Sequence, residues 1–159
     1  MTDGEAIRAL IHAYAERLDH GDLDGVADLF ARSTWRTGER PEVFRGVEQV
    51  RRMYDGVILY DGRPNTKHVI TNVSVFDGAA NEPPDDAQAT ARSYFTVLQA
   101  TPELPLQPII SGSYHDTFAR SAPLSDGGEW YFTDRLILVD LVGDLSHHMR
   151  MGAGTPART

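Results

Sequence analysis

At Lys67 the apolar residues of this chain change their spacing, and that break decides what it can fold into. Before it they recur every three or four residues, as on the buried face of an α-helix. After it they alternate, as along a β-strand. The clearest alternation is Lys67-His68-Val69-Ile70-Thr71-Asn72-Val73-Ser74-Val75, a β-branched run that reads as a strand. Period two puts Val69, Thr71, Val73 and Val75 on one face and His68, Ile70, Asn72 and Ser74 on the other. The second face opens with an imidazole and mixes in polar groups, which suits a pocket wall better than a closed core.

Ahead of the break three helices are expected. Residues 3–20 carry Ile7, Leu10, Ile11, Tyr14 and Leu18 in one stripe, stopped by Gly21. Asp22 caps a second helix over 23–31, with Val26, Leu29 and Phe30 inward. A short strand carrying Trp35 and a polar loop over 37–45 lead to a third helix, 46–58, with Val47, Val50, Met53, Tyr54 and Val57 on one face.

Beyond the turn at 60–66 the strands are expected at 67–76, 87–101, 109–120 and 129–141. They are separated by a loop at 77–86, a proline-marked connection at 102–108 and a turn at 121–128. Helices followed by successive long strands predict an α+β fold. A curved antiparallel sheet, covered on one face by three N-terminal helices, closes a cone with an apolar mouth. Residues 1–148 make one domain, and 149–159 read as a flexible C-terminal tail.

Fifteen Lys and Arg against 23 Asp and Glu leave a net charge of −8. That disfavours nucleic acid and anionic membrane as partners, since both need a basic patch. The chain has no cysteine, which removes disulfides, thiolate metal sites and a cysteine nucleophile. Its apolar runs fall short of the ~20 residues of a membrane span. It starts without the basic and then apolar segments of a signal peptide. A cytoplasmic protein is the expectation.

Asp19 sits in the last turn of the first helix, where a carboxylate opposes the macrodipole at a cost of ~0.3–1 kcal/mol. Such a residue is either fully solvated or has work to do. Histidine as a residue type suits proton transfer near neutral pH, which makes His68 the other candidate.

Several stretches together resemble the SnoaL-like branch of the NTF2-like superfamily. They are Tyr14 with Leu18-Asp19 and Gly21-Asp22, Leu29-Phe30, Thr66 to Asn72, Gly112-Ser113-Tyr114-His115-Asp116-Thr117-Phe118, and Trp130-Tyr131-Phe132-Thr133-Asp134-Arg135. The branch includes scytalone dehydratase and bile-acid dehydratase relatives. The resemblance implies a cone-shaped α+β barrel. It also implies that Asp19 and His68 occupy the positions of the Asp and His that dehydratase-like members use, with Tyr14 matching a further Tyr. On that reading Asp19 orients His68 as a base, and Tyr14 donates to a substrate carbonyl oxygen.

These relatives carry another acid or His on the second strand, where this chain has Val97-Leu98-Gln99. Gln99 exchanges hydrogen bonds but is no general acid near neutral pH. That departure favours single-base chemistry: proton abstraction next to a carbonyl, isomerisation, or elimination of a good leaving group. The implied protein is an enzyme without cofactor, of dehydratase, isomerase or cyclase type, acting on a mostly apolar polyketide- or steroid-like cyclic substrate. The alternative is a non-catalytic ligand-binding or accessory protein with an idle Asp–His pair.

Alternation, matched to the family pattern, turns Phe95, Val97 and Gln99 into the cone, with Tyr114, Asp116 and Phe118 from the next strand and Ile70 beside His68. Trp35, Met53 and Tyr54 are candidates for the apolar mouth. Asp116 and Arg135 are expected to pair, because a lone buried carboxylate is expensive, although Arg135 also suits an anionic substrate group. His12, His20, His68, His115, His147 and His148 show no metal-ligand spacing on one element, so no metal is expected. The aliphatic face with Val69, Val73 and Val75 points to a homodimer formed through sheet faces.

Overall fold

The first helix begins with a reciprocal cap. The Thr2 hydroxyl accepts the Glu5 N–H at 3.3 Å, and the Glu5 carboxylate accepts the Thr2 N–H at 2.7 Å. From there α1 (Asp3–His20) buries Ile7, Ile11, Tyr14 and Leu18 along one stripe. It stops at Gly21, whose φ is +78°. A Cβ at that position would stand 1.9 Å from the Gly62 carbonyl oxygen. Only glycine lets the turn around Gly62 press onto the end of the helix beside Asp19. Asp22 then accepts the Gly25 N–H at 2.9 Å and caps α2 (Leu23–Asp28).

The computed structural model describes residues 1–38, 40–77, 88–121 and 128–150. After α2 come β1 (Thr34–Thr37), β2 (Val43–Arg45), α3 (Gly46–Met53) and a 3₁₀ turn (Tyr54–Gly56). The long strands are β3 (Thr66–Asp77), β4 (Gln88–Thr101), β5 (Leu104–Arg120) and β6 (Trp130–Val142). All six strands form one curved, open sheet in the order β2-β1-β6-β5-β4-β3. Every pairing is antiparallel except that of β1 with β6, which is parallel. The core lies between helices and sheet, where Ile7, Ile11, Val26 and Phe30 meet Phe118 and Phe132. The α+β architecture is therefore the one expected from the change of period.

Four local features differ from expectation. The polar loop over 37–45 contains β2, because Phe44 packs its ring on Trp35 at 5.9 Å; three residues are too few to show a period. The third helix ends at Met53, and Asp55-Gly56, poor helix formers, continue it as a 3₁₀ turn. The proline-marked connection is mostly strand. β6 pairs with β5 only from Ile110 onward, so Pro105 and Pro108 sit where β5 has one free edge and needs no N–H.

The fourth difference is a bulge in β3. Its register against β4 shifts between Thr71 and Ser74, and Asn72 takes φ +54°. One extra residue flips every side chain after it. Val73 and Val75 therefore pack against the core, while Asn72 and Ser74 are exposed. The expected aliphatic outer face of β3 shrinks to Val69, with Phe76 exposed farther along. The expected loop at 77–86, most of the turn at 121–128 and the tail beyond Arg150 lie outside the described residues.

Candidate active site

The end of α1 and the start of β3 meet through Asp19. Its Oδ1 accepts from the Thr66 hydroxyl at 2.7 Å and contacts His68 Nδ1 at 2.6 Å; its Oδ2 accepts the His68 backbone N–H at 2.8 Å. A carboxylate accepts only, so the Nδ1 proton belongs to this contact and His68 keeps Nε2 as its free nitrogen. Burial pushes the Asp19 carboxyl up, but the hydrogen bonds and charge of His68, helped by Thr66, outweigh it and hold its pKa below the ordinary value. Asp19 is thus a fixed anion, 9% exposed, whose cost at a helix C-terminus is offset by these donors.

His68 lies on the wall of a cavity of about 630 Å³ between helices and sheet. Tyr14 and Leu18 of α1 line the cavity too, with Phe95 and Val97 of β4, the strand beside β3, and Tyr114 of β5. Trp35, Met53 and Tyr54 also line it, and Arg40, Glu42 and Arg52 bring charge to its rim. Tyr54 donates to the Tyr14 hydroxyl at 3.0 Å, and Tyr114 stacks on Phe95 at 4.5 Å. Burial raises all three phenols, so each is a neutral O–H at physiological pH.

Five candidates from the sequence do not reach the cavity. Ile70 is half-buried on β3, one period beyond His68 and just before the bulge. Gln99 is fully buried at the far end of β4; its Nε2 donates to the Pro64 and His147 carbonyls, both at 3.0 Å. Phe118 is core, tilted against Phe132 at 4.7 Å. Asp116 and Arg135 form a completely buried bidentate pair at 2.8 and 2.7 Å beneath the cavity floor. The guanidinium lies 4.3 Å from the Tyr14 ring centre and 4.2 Å from that of Tyr114. Burial pulls Arg135 down and Asp116 more than offsets it, so the cation persists. Its place is therefore under the phenols, outside the cavity lining.

The sequence reading missed the segment after β6. It turns back across the cavity, with the Ile58 N–H donating to the His148 carbonyl at 2.8 Å and the Arg150 N–H to the Gly56 carbonyl at 2.9 Å. Leu145, His148 and Met149 thereby line the cavity. The Tyr60 hydroxyl donates to the His147 carbonyl at 2.8 Å and ties the same segment down. The adjacent His147 and His148 were visible, but nothing in their spacing says where the chain goes after a strand ends. Among the described residues no three His, Asp or Glu side chains come together as a metal-binding set. No helix among them is long and apolar enough to cross a membrane.

A model of the SnoaL-like domain family matches residues 1–136. Solved structures with the same fold include an NTF2-like protein with a cystatin-like fold from Novosphingobium aromaticivorans, 20% identical, with a TM-score of 0.66 over 91% of this chain and 86% of that one. A protein provisionally named scytalone dehydratase from the same organism is 19% identical, with a TM-score of 0.65 over 91% of each chain. ActVI-ORFA from Streptomyces coelicolor is 16% identical, with a TM-score of 0.65 over 86% of this chain and 96% of that one. At these identities the likeness is one of fold. No curated protein sequence matches significantly.

Proposed function

Because the chain belongs to the SnoaL-like domain family, and carries an Asp–His pair on the wall of a largely apolar cavity, we propose that it is an enzyme without cofactor that moves a proton on a mostly apolar cyclic substrate. His68 Nε2 takes a proton from the carbon next to a carbonyl. Asp19 holds the ring in the right tautomer and stabilises the imidazolium that forms. Tyr14, backed by Tyr54, donates to the carbonyl oxygen as charge develops there. Return of the proton at another carbon makes an isomerase; loss of a leaving group makes a lyase of dehydratase type; attack of the enolate within the substrate makes a cyclase. The cavity volume of about 630 Å³ suits a polyketide- or steroid-like ring system.

The observation that carries this reading is the 2.6 Å contact between Asp19 Oδ1 and His68 Nδ1, with His68 lining the cavity. The test is deuterium exchange from D₂O into 2-decalone and related bicyclic ketones, followed by NMR. The wild type should accelerate exchange, and His68→Ala should lose ~10²–10⁴ of that rate. An unchanged rate in His68→Ala would end the assignment.

One observation favours a second reading, a non-catalytic ligand-binding or accessory protein. β4 turns no ionisable side chain into the cavity, and the Gln99 amide is spent on two backbone carbonyls. Tight binding of these ketones without exchange, unaffected by Asp19→Asn, would support it. In either case the protein is read as pairing through the outer sheet face, where Val69, Tyr94 and Leu141 are exposed; sedimentation measures that.

A further inference from the structure

His148 is the one imidazole besides His68 on the cavity wall. It is 8% exposed, and its Nδ1 is buried with no hydrogen-bond partner among the described residues. A buried polar atom without a partner costs about 1–3 kcal/mol, and an unpaired N–H is the rarer and dearer form. Putting the single proton of a neutral ring on Nε2 avoids that form and leaves Nδ1 as the unused acceptor. Burial, with the His68 ring beside it, lowers the pKa of His148 to about 4 although Asp19 opposes this, so the ring is neutral at physiological pH. The two cavity imidazoles are then complementary. His68 offers a lone pair backed by a carboxylate, and His148 offers an N–H backed by nothing.

The position of His148 is built. Its own carbonyl accepts from Ile58, and the preceding carbonyl, of His147, accepts from both Tyr60 and Gln99. Three donors, two from the segment before β3 and one from β4, hold this one turn against the cavity. That is more restraint than a loop end needs.

We propose that His148 is a substrate-binding residue whose Nε2–H donates to a second oxygen of the substrate, so that the site takes ring systems with two oxygen functions in preference to those with one. The inference rests on the reading of the cavity as a substrate site and names the class of substrate more closely. One oxygen, a carbonyl or its enol, meets Tyr14; the other, a hydroxyl, ether or second carbonyl, meets His148. A neutral imidazole is well suited to this, since it donates without placing a charge beside His68.

The test uses naphthols as probes, because they are flat, apolar and fluorescent. Affinities of 2-naphthol and of the 1,3-, 1,6-, 2,6- and 2,7-dihydroxynaphthalenes are measured for wild type, His148→Phe and His148→Gln. The best diol should bind wild type ~10-fold tighter than 2-naphthol, as one net hydrogen bond allows. His148→Phe should bring that ratio close to one, and His148→Gln, which keeps an N–H donor, should retain part of it. If His148→Phe fails to fold, a ratio unchanged between His148→Gln and His148→Ala overturns the proposal. So does a preference that survives His148→Phe, or the lack of any diol preference in the wild type. Failure of the proton-transfer reading shows separately, as 2-naphthol binding indifferent to Tyr14→Phe and His68→Ala. If no naphthol binds, both readings fall.

Discussion

Asp19 grips His68 at two points: its Oδ1 meets the ring Nδ1 at 2.6 Å, and its Oδ2 accepts the backbone N–H at 2.8 Å. The second bond fixes where β3 starts relative to α1, and the first fixes how the ring lies. Fold and tautomer are thus set by the same carboxylate.

Asp19→Asn separates the two roles. An amide is nearly the same shape, but it carries no charge and presents one acceptor where the carboxylate presents two. Three donors then compete for one oxygen. We expect a stability loss of about 1–3 kcal/mol in urea unfolding, and a fall of at least ~10² in ketone proton exchange, because the imidazolium loses its counter-ion. A variant that loses stability but not exchange would show that the charge is not used in chemistry.

Tyr14, Asp19 and His68 were legible because a stripe and an alternation each fix a face, and all three lie before any irregularity in their element. Asn72 shows where that logic stops. Its bulge adds one residue, and the faces assigned to Val73 and Val75 invert. Gln99, Asp116 and Phe118 do point to the concave side as alternation requires, but Asp116 and Phe118 lie beyond one end of the cavity and Gln99 beyond the other, and position along a curved sheet is not a property of period. Arg135 is paired as expected, yet its stacking on Tyr14 depends on tertiary packing. His148 was illegible because its place depends on the path of the chain after β6.

The neutral state of His148 makes acid stability depend on it. Its pKa in the fold, about 4, lies below the unfolded value near 6.5, so the unfolded chain binds the extra proton first. The stabilisation is complete above pH ~6.5 and is lost as pH falls toward 4, by up to about 3 kcal/mol. His68 and Asp19 are the titratable groups that act on it, and the lowered pKa of Asp19 adds a loss only at lower pH. Urea unfolding across this window should show the slope in wild type and a flatter curve in His148→Gln. Equal slopes in both would place the acid sensitivity elsewhere.

Arg135 and Asp116 are a pair that neither partner can leave cheaply. Arg135 is wholly buried among four aromatic rings, with Tyr114 at 4.2 Å, Tyr14 at 4.3 Å, Phe132 at 4.8 Å and Phe30 at 5.7 Å. Arg135→Met leaves a buried carboxylate alone and should cost about 3–5 kcal/mol. Asp116→Leu strands the guanidinium at a similar cost. The double variant should be less destabilised than the sum of the singles, and can approach wild type, because an apolar pair of similar volume avoids both desolvation penalties. Additive losses would mean that the aromatic box holds Arg135 independently of Asp116.

Gln99 acts as a clamp. Its amide joins the Pro64 carbonyl, at the end of the turn before β3, to the His147 carbonyl, in the turn that carries His148. Gln99→Leu keeps the volume and removes both bonds; the Pro64 carbonyl loses its side-chain donor, while the His147 carbonyl keeps the Tyr60 hydroxyl, and a loss of about 1–3 kcal/mol is expected. The loosening should be local before it is global. Hydrogen exchange should speed up at the Ile58 and Arg150 N–H groups, which tie the closing segment to the turn after α3, and much less at the His68 N–H, which Asp19 holds. If all three amides lose protection equally, Gln99 supports the whole fold and not the segment that brings His148 to the cavity.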